Sequence, residues 1–130
     1  MVDVSIDNTL AVFTVKGLDR LWAMKGEIRV PLNHIVSMRE DSSPSIGWRE
    51  GFKLMGTSFP NRFRAGTFYQ NGGKVFWDAR QGEKVLVVDL KDESYKKLIV
   101  QVDSPLSTIR MIKDAVERRQ RLFKAGATER

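Results

Sequence analysis

A chain of 130 residues, 42% hydrophobic and 29% charged, can bury one sizeable core but not two, and it is too apolar to be disordered. It has no cysteine, which excludes disulfides, thiolate metal sites, iron–sulfur clusters and cysteine nucleophiles; His34 is its one histidine, which removes most Ser/His/Asp triads. The formal charge is +6 with seven basic and three acidic residues in 104–130, so the basic balance belongs mostly to the end of the chain.

No run approaches the roughly 18–20 apolar residues of a membrane span. The opening MVDVSIDNTL carries acids where a signal peptide is basic, which makes a cytoplasmic address the expectation. Val2, Val4 and Ile6 alternate with Asp3, Ser5 and Asp7 as in a half-buried strand. Asp7-Asn8 forms the turn, and Leu10–Val15 the second strand. Gly17 interrupts the pattern, and Leu18, Leu21 and Trp22 at helical spacing predict a turn or two of helix or an irregular stretch. Glu27–Glu40 reads as extended, with Pro31 at a strand edge or bulge because it lacks an N–H. Asp41–Gly47 is a loop by composition, and Gly51, Gly56 and Pro60 break residues 48–63 into short pieces.

The second half is more regular. Ala65–Gln70 and Lys74–Ala79 flank Asn71-Gly72-Gly73, a strong hairpin signal because these residues accept positive φ. Gln81-Gly82 leads into Lys84–Leu90, and Asp92-Glu93-Ser94 into Tyr95–Val102, which predicts four strands in a β-meander. Ser104 as N-cap and Pro105 at the first helical position then open a helix. Its apolar stripe is read as Leu106, Ile109, Ile112, Val116 and Phe123, with Gly126 marking its end. The domain is therefore placed at residues 1–125, with 126–130 a short disordered tail. The expected architecture is mainly β: about seven strands in a bent antiparallel barrel, one mouth plugged by an amphipathic C-terminal helix.

The segments Gly17–Ala23 (GLDRLWA), Val30–Ile35 (VPLNHI), Ala65–Tyr69 (AGTFY), Lys74–Asp78 (KVFWD) and Val87–Glu93 (VVDLKDE) resemble those of small bacterial proteins with a pleckstrin-homology-like fold. The resemblance spans about Gly17 to Ile112. It implies a seven-stranded bent barrel capped by one helix, and a binding module rather than an enzyme. The family is best known for holding phosphoinositides through basic residues of the first hairpin. Here Asp7 and Asn8 occupy that tip and no Lys or Arg precedes Lys16, so the lipid-binding pattern is missing.

Several constellations carry chemistry on paper. Residues 47–69 interleave Trp48, Phe52, Phe59 and Phe63 with Arg49, Lys53, Arg62 and Arg64, and Glu50 is the one acid among them. Stacking rings beside phosphate-seeking cations are what single-stranded nucleic-acid sites use. The competing reading fills the core with the rings and leaves the cations solvated. Trp48, Arg49, Lys53, Arg62, Phe63 and Arg64 are the candidate partner-binding residues. His34 lacks the companions a metal site needs and reads as a structural or surface histidine. Asp78 and Asp89 fall on strands expected to be neighbours, where cross-strand charge pairing explains them more simply than acid–base catalysis. Glu117–Arg121 with Lys124 is a solvated helix end or a dock for acidic lipid or nucleic acid. Gly72-Gly73 lacks the frame of a phosphate loop, and Trp22 and Trp77 read as core anchors.

No catalytic residue, cofactor or metal site is expected. The function implied is recognition of a protein or peptide. The alternatives are an anionic partner, nucleic acid or acidic membrane surface, met by the basic–aromatic segment, and a small-ligand barrel.

Overall fold

The computed structural model describes residues 1–17, 19, 23, 26–42, 52–59, 63–70, 72–80 and 82–128; for 52–59, 63 and 123–128 it describes the backbone. The first hairpin is β1 (Val2–Asp7) and β2 (Leu10–Val15), turned at Asn8, whose φ of 55° a short amide side chain tolerates. β3 (Glu27–Pro31) completes a three-stranded antiparallel sheet in the order β1-β2-β3. Asp19 and Ala23, between β2 and β3, are helical and buried.

Pro31 ends β3, an edge strand, where its missing N–H costs nothing. A 3-10 turn at Leu32–His34 follows, and the chain then enters β4 (Ile35–Asp41) in a second sheet. The run expected to be one extended element is thus two strands split by that turn. β5 (Phe52–Phe59) passes straight through Gly56, which pairs with Gly66 of β6 (Phe63–Gln70), so that glycine does not break the strand. β7 (Gly73–Arg80) completes the expected hairpin, with Gly72 at φ 81° in the turn.

β8 (Val85–Leu90) and β9 (Tyr95–Val100) depart from the expected meander. The second sheet has the order β4-β8-β9-β7-β6-β5, so β9 slots between β7 and β8 and runs parallel to β7. The reason is two-sided burial. Val85–Val88 and Leu98–Val100 are buried without alternation, so both strands need a neighbour on each side and cover on each face. Among the described residues there are nine strands in two sheets, where about seven were expected. The sheets do not close, among the described residues, into one hydrogen-bonded barrel; Val2 N–H of β1 donates at 2.8 Å to the carbonyl of Gln101, just past the end of β9, and ties the small sheet to the large one.

The main core lies between the sheets. Phe13, Val15 and Val30 from the small sheet meet Phe76, Leu86, Val88, Leu98 and Val100 from the large one. A helix, α1 (Pro105–Thr128), packs on β4, the 3-10 turn, β1 and β8, driving Ile112 and Ala115 into that core. Ser104 caps it as expected, its Oγ accepting from Ser107 N–H at 3.3 Å. Leu106 does not join the stripe and is 64% exposed. At 3.6 residues per turn it lies about 120° around the helix from Ile112, and buried Pro105 takes its place. The helix also runs past Gly126 to Thr128, because flanking Ala125 and Ala127 favour helix and a glycine in the last turn costs little. Residues 126–128 are accordingly helix, where a disordered tail was expected.

Candidate functional site

Two buried assemblies and one open cleft concentrate the polar chemistry of the fold. The first assembly is a charged knot on the core-side face of β7. Asp78 is 0% exposed, and its Oδ2 lies 3.0 Å from the α-amino group of Met1. That amino group also pairs with Asp19, which accepts a further bond from Arg80 Nη2 at 3.2 Å. Burial pushes Asp78 up to about 6, against the opposing pull of the amino group. Burial raises Asp19 too, but hydrogen bonds from the amino group and Arg80 outweigh it and hold this carboxyl low.

The second assembly lies on the opposite face of the large sheet. Phe68, Val75, Trp77, Ala79, Val85, Val87 and Ile99 form a separate apolar cluster there. Arg64, 5% exposed, stacks its guanidinium over Phe68 at 4.4 Å and over Trp77 at 4.9 Å from the ring centroids. Trp77 Nε1–H donates to Gln70 Oε1 at 2.6 Å. Desolvation lowers the pKa of Arg64, and the ring faces supply part of what water would have given.

The cleft lies between the tip of the first hairpin and the second half of α1. It holds about 590 Å³ and is lined by Ile6, Asn8, Thr9, Ala115, Arg118, Arg119 and Leu122. That falls within the roughly 300–1,000 Å³ typical of ligand sites. The chain builds it from two local facts. The left-handed turn at Asn8 closes the hairpin on one side, and Leu122, off the buried stripe, stands 68% exposed as the opposing wall.

Of the candidates named from sequence, Trp48, Arg49 and Arg62 lie outside the described residues, as do the side chains of Lys53 and Phe63. Arg64 is turned to ring faces inside the protein rather than to solvent. Asp78 and Asp89 are not on neighbouring strands: β9 separates them, and they point to opposite faces. Asp89 instead takes Lys97 at 3.4 Å, Arg39 at 4.0 Å and the Ser37 hydroxyl at 2.7 Å, the cross-strand charge pairing expected of it. His34 Nδ1 lies 2.7 Å from Glu93 Oε2, at the end of the 3-10 turn, in a structural setting. Trp77 is fully buried, and Trp22 lies outside the described residues. The cleft was missed apart from Arg118 and Arg119 in the basic helix end. Its one sequence signal is Leu122, a leucine off the stripe.

Among the described residues no group of three or more His, Asp or Glu is placed to hold a metal, and no helix is long and apolar enough to cross a membrane. A family model described as "Bacterial PH domain" matches residues 14–100. Comparison with curated proteins and with solved structures returns no match.

Proposed function

Since the chain belongs to the bacterial PH-domain family, we propose that it is a non-enzymatic module that recognises a protein or peptide, and that the hairpin–helix cleft is its contact surface. The cleft carries this reading. It is open, its floor is apolar at Ile6 and Ala115, and its rim is polar. Asp78, Arg64 and Asp89 are committed to internal partners: Asp78 to the Met1 amino group, Arg64 to two rings, Asp89 to Lys97. Nothing in those pairings leaves a nucleophile beside a base.

A photo-crosslinking amino acid in place of Leu122, expressed in the source organism, tests the reading. Lys113, exposed on another side of the helix, is the control position. One discrete protein adduct from position 122 and none from 113 is expected. Equal labelling from both positions, or none from 122, overturns the assignment of the cleft.

A further inference from the structure

What fills the cleft follows from its charges, given the reading of it as a docking surface. Arg118 and Arg119 stand in succession along its wall, Arg119 half-buried. Among the described residues neither has a carboxylate within ion-pair distance. Acids of the first hairpin and of the helix pair with other cations: Asp7 with Arg29 at 3.5 Å, Asp3 with Lys16 at 3.1 Å, Glu117 with Arg121 at 4.0 Å. Arg118 also borders a shallower hollow with Asp114, on the outer side of the helix. Two guanidinium groups beside an apolar floor call for an occupant with both characters. Ile6, Ala115 and Leu122 accept an apolar side chain, and a guanidinium fork fits a carboxylate through two parallel N–H bonds.

We propose that the cleft receives an acidic amphipathic segment of a partner protein. A leucine- or phenylalanine-type side chain packs between Ile6 and Leu122, and glutamate or aspartate neighbours meet Arg118 and Arg119. Asn8 and Thr9 on the facing wall offer amide and hydroxyl groups to the backbone of that segment. Nucleic acid fits less well. Among the described residues no aromatic ring lines the cleft to stack a base, and the cations are two, Arg118 and Arg119, where a phosphate track needs many. A flat lipid surface does not reach into a recess.

The test uses the full chain and three labelled peptides with identical leucines, flanked by Glu, by Gln or by Lys. The Glu peptide should bind, and the Gln peptide should bind roughly 2- to 30-fold more weakly, the range of two exposed ion pairs. The Arg118→Glu, Arg119→Glu double variant should invert the preference, taking the Lys peptide over the Glu peptide. Leu122→Gln should weaken the Glu peptide roughly tenfold through lost apolar contact. A thermal melt coincident with the parent's shows that these surface variants fold, and the milder Arg118→Gln, Arg119→Gln pair should abolish discrimination between Glu and Gln. Equal affinity for all three peptides, an unchanged preference in the charge-reversed variant, or tighter binding of oligothymidylate or phosphatidylglycerol vesicles overturns the proposal. Peptides that all fail while position 122 still cross-links a protein overturn the acidic chemistry and leave the docking cleft standing. Failure of both removes the two readings together.

Discussion

Arg64 and the pair Arg118–Arg119 put the same side chain to opposite uses. Arg64 is sealed under the large sheet, its charge spread over the faces of Phe68 and Trp77. Arg118 and Arg119 sit on a helix wall beside open space, with apolar neighbours but no carboxylate among the described residues. A buried cation set against two aromatic faces is part of the packing, and its removal should register as lost stability. A cation on a recess with no carboxylate beside it among the described residues is, on the proposed docking reading, there to meet a partner, and its removal should register in binding. Charge alone does not distinguish them; the identity and completeness of the surroundings do.

The largest effect expected from breaking this contrast is at Trp77. Trp77→Ala removes one of the two ring faces that Arg64 meets and the anchor of its cluster, and should cost about 3–5 kcal/mol in a denaturant titration. A loss under about 1 kcal/mol would mean that the stack contributes little.

Asp78 gives the next largest, as the anionic counterpart of a buried Arg64. Its folded pKa, near 6, lies above its ordinary 3.8, so folding favours the protonated form. Its contribution to stability is present below about pH 4 and is lost as pH rises through 6, by about 3 kcal/mol at 1.36 kcal/mol per unit. Asp19, held low, works the other way and loses its contribution only at more acid pH. Thermal or denaturant melts between pH 4 and 7 should therefore show Asp78→Asn gaining on the parent as pH rises. Parallel curves across that window would remove Asp78 as their cause.

The smallest expected effect sharpens the contrast from the other side. Arg118→Gln with Arg119→Gln should leave stability within about 0.5 kcal/mol of the parent by the same melts, as exposed substitutions do. A loss above 1 kcal/mol would place these arginines with Arg64 as structural groups.

The sequence by itself determined most of the local structure. The first hairpin, the Gly72 turn, the Ser104 cap and the amphipathic helix rest on alternation, positive-φ residues and capping chemistry, all of which act over a few residues. The likeness carried by segments such as KVFWD and VVDLKDE extended this to the family. Only the tertiary structure decided which strands pair: β9 runs parallel to β7 because two double-faced apolar strands needed interior positions, and local pattern cannot rank competing partners far apart in sequence. It also decided the fate of each charge. Arg64 looked like a surface cation and became a packed one, while Leu122 and Ile6, 116 positions apart by number, became opposite walls of one cleft. Burial and proximity are properties of the assembled sheets and helix, and the chain acquires them only on folding.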